Sequence, residues 1–182
     1  MRRYILTGTP GAGKTTVLRA LAARGHRTVG EAATAVIARE QARGVREPWT
    51  DPGFLTRVTA EQRAREARAD AAPDPARLCF LDRSPVCTHA LAAYLGHPVP
   101  PDLTAELGRI TAAGRYEPHV FLLRPLGFLE PTAARRITYE ESLAFEKLHE
   151  ESYRRFGFRL VEVAPATVEE RVERILAEVG ER

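Results

Sequence analysis

Residues 8–15 read Gly8-Thr9-Pro10-Gly11-Ala12-Gly13-Lys14-Thr15, the pattern G-x-x-x-x-G-K-[ST], directly after the apolar run Tyr4-Ile5-Leu6. Nothing else in the chain restricts the fold as much, because such a loop works only between a strand and the helix that follows it. The glycines let the backbone curl until successive N–H groups point inward at a phosphate. Lys14 reaches the β- and γ-phosphates as a point charge, the Thr15 hydroxyl suits Mg²⁺, and the helix N-terminus adds positive potential. The required helix is legible: Thr16 to Arg24 repeats apolar residues at helical spacing, with Gly25 as a stop. By chance the pattern arises in about one in a hundred chains of this length, so an ordinary Gly-rich turn is the weaker alternative. The dinucleotide fingerprint G-x-G-x-x-G is started by Gly11-Ala12-Gly13, but Thr16 stands where its third glycine belongs. The expected phosphate-contacting set is Gly8, Thr9, Pro10, Gly11, Ala12, Gly13, Lys14, Thr15 and Thr16. The loop implies a triphosphate with Mg²⁺ and leaves the fate of the phosphate open.

The chain has 182 residues, 44% of them hydrophobic, which suits a single domain over 1–182 with a sizeable core. No apolar stretch approaches a membrane span, and the run after Arg2 and Arg3 is far too short for a signal peptide. Two cysteines, Cys79 and Cys87, form no disulfide framework, and the five histidines share no ligand spacing. These features predict a soluble, cytoplasmic protein. The net charge of +3 is mild, and no aromatic-basic cluster suggests a nucleic-acid groove. The Arg- and Ala-rich stretch from Glu61 to Asp70 reads as a solvated helix face with pairs such as Glu61 and Arg65. Neither a nucleic acid nor a membrane is expected as a partner, and the expected assembly is a monomer or homodimer.

Strand and helix signals alternate to the end. Strands are predicted at Tyr4–Thr7, Thr28–Gly30, Leu78–Leu81, Val120–Leu123 and Leu160–Val163. Helices are predicted after the loop, from Glu31 toward Arg43, and over Phe54–Ala71, Pro85–Leu95, Asp102–Ala113, Tyr139–Phe156 and Thr167–Val179. Continuous apolar strands alternating with helices imply an α/β fold, a parallel sheet covered on both faces. In such sheets ligands bind at the carboxyl ends of the strands.

Those ends carry the remaining candidates. Leu78-Cys79-Phe80-Leu81 runs into Asp82, the pattern that holds a carboxylate near Mg²⁺, so Thr15 and Asp82 are the expected metal residues. Asp82 could instead cap the next helix, although Ser84 followed by Pro85 suits that role. Arg83 brings a guanidinium to the strand mouth. Glu31, after strand 2, could take a hydroxyl proton as general base, or simply favour its helix dipole. Arg135 and Arg136, in a lid segment over about 124–138, could close on the charge of a transferring phosphoryl group. Arg124 is a weaker candidate, and Trp49 a possible wall for a planar group or plain packing.

The P-loop, Gly30-Glu31-Ala32-Ala33, Asp51-Pro52, Leu81-Asp82-Arg83-Ser84-Pro85, Phe121 to Pro125, Arg135-Arg136 and Val168 to Val172 occur in an order that resembles a family of small bacterial P-loop proteins described as AAA-type ATPases or kinases. The ribosylnicotinamide kinase domain of a bacterial NAD-biosynthesis regulator is similar, and Asp82-Arg83-Ser84 resembles the Asp/Glu-Arg-Ser of deoxynucleoside and thymidylate kinases. The resemblance implies a three-layer α/β/α P-loop fold with a five-stranded sheet in the order 2-3-1-4-5. It also implies catalytic roles for Asp82 and Arg83, a base at Glu31, and adenine near Ala164-Pro165-Ala166. Many members carry Asp where this chain has Cys87, which touches acceptor choice. No arginine-finger or helical lid domain of the ring-forming kind is evident in the sequence.

The leading expectation is therefore an ATP-dependent kinase that moves the γ-phosphate to a hydroxyl of a small, nucleoside-like molecule. Lys14, Glu31, Asp82, Arg83, Arg135 and Arg136 would be its catalytic residues. The alternative is a nucleotide-dependent regulatory ATPase or switch, which needs no acceptor pocket.

Overall fold

The computed structural model describes residues 1–73, 77–126 and 138–181. Five strands, β1 (Arg2–Thr7), β2 (Arg27–Val29), β3 (Leu78–Asp82), β4 (His119–Leu123) and β5 (Arg159–Val163), form one parallel sheet in the order β2-β3-β1-β4-β5. Seven α-helices are present among the described residues: α1 (Lys14–Ala23), α2 (Ala32–Ala42), α3 (Phe54–Ala71), α4 (Pro85–Leu95), α5 (Pro101–Ala112), α6 (Tyr139–Arg155) and α7 (Val168–Val179). The Pro-rich loop adds a 3₁₀ turn at Pro48–Thr50. The order 2-3-1-4-5 matches the expectation drawn from resemblance.

Strand side chains alternate between two cores, as the period of two requires. Tyr4, Leu6, Phe80, Phe121 and Leu123 pack with Val17 and Leu21 of α1 and with Val172, Ile175 and Leu176 of α7. Ile5, Cys79, Leu81 and Val120 face the other way, against Val86 of α4, Leu103 and Leu107 of α5, and Tyr153 of α6. A third cluster joins Val36 of α2, Phe54, Leu55 and Val58 of α3, and Ala92 of α4. Phe54 and Val58 of this cluster, with Trp49 and Leu91 packed on it, line the same cavity as the loop after β1 and so build the wall of a chamber there.

Helix boundaries decide two of the open roles. Ser84 is the N-cap of α4, its hydroxyl accepting from the Val86 N–H at 3.2 Å, with Pro85 in the first turn. Asp82 is thereby released from capping and stays in β3. Glu31 occupies the N-cap position of α2 without a side-chain bond to the helix backbone; its Oε2 accepts instead from the Thr34 hydroxyl in the first turn at 2.9 Å.

Candidate functional site

The loop after β1 curls as its glycines predict. Gly8, Gly11 and Gly13 all have positive φ, at 130°, 83° and 82°. At Gly8 a side chain is also excluded by space, because a Cβ would fall on the Leu123 carbonyl oxygen at the end of β4. Gly13 then starts α1, its carbonyl accepting from Val17 N–H at 3.1 Å. Lys14 is buried and folds back over the loop, donating to the carbonyls of Gly8 at 3.1 Å and Thr9 at 2.7 Å. Burial, reinforced by the nearby Arg83, pushes its ammonium down to about 8. A cation in that state gains strongly from an arriving anion.

Asp82 sits beside the first turn of α1. Its Oδ2 accepts from the Thr15 hydroxyl at 3.2 Å, while its Oδ1 is buried with no hydrogen-bond partner. Burial raises the carboxyl, and the Lys14 charge pulls the other way. An orphaned carboxylate oxygen next to a hydroxyl fits a hard cation, which takes oxygen ligands and commonly one or two from protein. Among the described residues no group of three or more His, Cys, Asp or Glu could hold a metal.

Arg83 is the one non-glycine residue with positive φ among the described residues, at 72°. The strain is held by its side chain and backbone together. Its N–H donates to Leu6 O at 3.0 Å, its Nε donates to Glu31 Oε1 at 2.8 Å, and its Nη1 lies 3.0 Å from His149 Nε2. Burial acts to lower the guanidinium, but Glu31, Cys87 and Asp82 together outweigh it, and the group is held more firmly charged than usual. The sequence placed Glu31 and Arg83 at two strand ends. The structure joins them in an ion pair whose side chains are 19% and 10% exposed.

The P-loop and this pair open into one cavity of about 570 Å³. Pro10, Gly11, Lys14 and Thr15 of the loop line it together with Glu31 and Arg83. Its wall also holds an apolar and aromatic group, Trp49, Phe54, Leu91, Tyr94 and Phe145. Trp49 is thus a wall residue, with its carbonyl accepting from His97 Nε2 at 2.9 Å. Gln62 also reaches the cavity, and its amide N–H is fixed on buried Glu66 at 2.9 Å. Cys87 lines the same chamber, with its Sγ 3.0 Å from the Tyr153 hydroxyl, which in turn lies 2.9 Å from Ser84 Oγ.

Three expectations fare differently. Arg135 and Arg136 lie outside the described residues. Arg124 does not turn to the cavity: it is held by carboxylates of Glu146 at 2.7 Å, Glu150 at 2.9 Å and Glu162 at 2.6 Å. Ala164-Pro165-Ala166 is exposed after β5, and the Ala164 carbonyl accepts from Arg171 Nε at 3.1 Å.

Several residues near the site were not among the candidates drawn from the sequence. Arg171 on α7 is buried and also donates to Ala12 O at 2.6 Å and Arg124 O at 2.9 Å, tying the loop to the ends of β4 and β5. From α6, Glu146 accepts from the Thr9 N–H at 3.3 Å, Phe145 packs against His149 with the rings tilted at 45°, and Tyr153 supports Cys87. Positions 145, 146, 149 and 153 share one helical face. Its signal was the presence of Glu146, His149 and Ser152 at positions where an amphipathic helix would bury apolar residues.

Solved structures share this architecture. A NadR protein in complex with NAD and AMP-PNP matches with a TM-score of 0.72 and 17% identity over all of this chain. The protein spans 50% of that NadR chain, about half its length. Deoxyadenosine kinase from M. mycoides, with dCMP and dCDP bound, matches with a TM-score of 0.61 and 16% identity over 97% of this chain and 98% of its own. Shikimate kinase from Acinetobacter baumannii, in complex with shikimate, matches at 0.61 and 19% over 98% and 93%. At these identities the likeness is one of fold. No curated protein matches the sequence. A family model described as AAA domain matches residues 3–171, from the first strand through the loop to Arg171 of α7, and the chain therefore belongs to that P-loop AAA-domain family.

Proposed function

We propose that the protein is a single-domain kinase that transfers the γ-phosphate of ATP to a hydroxyl of a small, ring-bearing molecule. One observation carries this reading: the phosphate loop, the Glu31–Arg83 pair and a group of apolar and aromatic side chains line one and the same cavity. A switch protein needs the loop and has no use for the chamber. The structural neighbours supply analogy, since NadR, deoxyadenosine kinase and shikimate kinase place small molecules beside nucleotides or on the same fold.

In this reading the loop's N–H groups and Lys14 hold the β- and γ-phosphates. Thr15 and Asp82 would hold Mg²⁺, which supplies charge neutralisation for the phosphates. Glu31 receives the proton of the acceptor hydroxyl, whose oxygen attacks the γ-phosphorus as the β–γ bridging oxygen departs with ADP. Arg83 orients Glu31 and faces the transferring charge. The apolar wall excludes water and so suppresses hydrolysis. Arg135 and Arg136 are proposed to close over the transfer.

The test is ADP release with ATP, Mg²⁺ and a panel of nucleosides, vitamins and other cyclic alcohols. The reading expects release stimulated by some members of the panel. Release unchanged by every acceptor, yet raised by a protein partner, would favour the switch.

A further inference from the structure

Helix α6 presents the cavity with a side chain that the phosphotransfer scheme does not use. His149 is fully buried and yet lines the chamber. Its Nε2 lies 3.0 Å from Arg83 Nη1. A guanidinium only donates, so Nε2 is the acceptor nitrogen, and a neutral ring must carry its proton on Nδ1. Burial, together with the charges of Arg83 and Lys14, holds the imidazole well below its ordinary range, so the ring is neutral. The ring is further fixed against Phe145, with centroids 4.2 Å apart. Nδ1 has no hydrogen-bond partner.

A buried N–H without an acceptor is costly, and folds retain one where something else provides the acceptor. In the wall of a cavity that something is the ligand. The location narrows which part of the ligand. Glu31 and His149 bind different nitrogens of one guanidinium, so groups that reach both lie on one small molecule. Glu31 takes a hydroxyl proton, whereas His149 can only give one. The matching molecule has a hydroxyl and, a few bonds away, a second oxygen that accepts.

We propose that His149 is a binding residue for the phosphate acceptor, its Nδ1–H donating to an oxygen that neighbours the phosphorylated hydroxyl, so that the site selects alcohols carrying such a second oxygen. The inference rests on the kinase reading above.

Two experiments test it. The first needs no substrate: ¹H–¹⁵N spectra of the full chain labelled at histidine, compared with His149→Gln to assign the signal. The expected result is the Nδ1–H tautomer, unchanged from pH 8 down to pH 6; an Nε2–H tautomer or an imidazolium overturns the proposal. The second measures phosphorylation of ribonucleosides against their 2′-deoxy and 3′-deoxy counterparts. The wild type should lose about 10- to 100-fold in kcat/KM when the oxygen is removed. His149→Asn, which keeps an N–H near the Nδ1 position, should retain that discrimination. His149→Gln, which keeps the acceptor for Arg83 but not the Nδ1 donor, should lose it. Equal discrimination by wild type and both variants overturns the proposal and points to a bound water as the Nδ1 partner. A panel with no acceptor-stimulated ADP release sinks the kinase reading instead, and is told apart because the tautomer measurement stands alone.

Discussion

Glu31 and Arg83 each hold a position that makes sense only together. Glu31 makes no side-chain cap bond to its helix, and Arg83 accepts a left-handed backbone to keep its guanidinium on that carboxylate. If Glu31 takes the acceptor proton, Glu31→Gln should lower kcat by ~10²–10⁴-fold and leave ATP affinity nearly unchanged; equal loss of ATP binding, read by calorimetry, would make the residue structural. Gly8 has a sharper requirement, since φ is positive and the Leu123 carbonyl occupies the space of a Cβ. Gly8→Ala should destabilise the fold by about 2–4 kcal/mol in urea unfolding, whereas an unchanged midpoint would mean that the loop backbone shifts freely. All three residues were legible from the strand-end rule and the loop pattern. The pairing of Glu31 with Arg83 was not, because an ion pair between residues 52 positions apart is a property of sheet order rather than of local sequence.

At the scale of elements, α6 and α7 contribute more than their sequences announced. Helix α7 reads as an ordinary amphipathic closing helix, yet its buried Arg171 donates to three carbonyls, on the P-loop, β4 exit and β5 exit. Arg171→Met keeps the stem and removes the donors, leaving the carbonyls unpaired. It should cost at least ~3 kcal/mol and weaken ATP binding through the loop; unaltered stability would show that water replaces the guanidinium. Helix α6 was legible as a long helix, which the structure starts with a capping box at Thr138 and Glu141, and its cavity-lining face was hidden because Glu and His look like surface residues. His149 gives that face a pH signature. Its folded pKa is depressed while the unfolded value is near 6.5. Below about pH 6.5 the unfolded chain therefore binds a proton that the fold does not, and stability falls as the pH drops. The slope approaches ~1.4 kcal/mol per pH unit for one such group. Half-buried His89, also depressed by burial, adds a part of its own. Urea titrations at pH 7.5 and 5.5 should show a smaller loss for His149→Gln than for wild type; identical losses would contradict a buried neutral ring.

At the scale of the whole molecule, the strand and helix alternation was readable from apolar periodicity, and the parallel sheet followed from it. The sheet order came from resemblance, and the structure bears it out. What no local pattern could give was the enclosure: α2, α3 and α4 meet in a cluster of their own, and only that long-range packing turns five strand ends into a chamber. Trp49 and Phe145, nearly a hundred positions apart, become parts of one wall. Arg124 shows the converse. A strand-end arginine fits a phosphate site by position, but carboxylates from α6 and β5 converge on it first.

The central claim is that phosphate leaves the loop toward the chamber rather than toward water. Its most direct test follows the label of γ-³²P ATP after incubation with the protein, Mg²⁺ and the alcohol panel. The account predicts label in an organic phosphate ester, with the ester lost in Glu31→Gln. Label recovered only as inorganic phosphate, at a rate no acceptor alters, would contradict it.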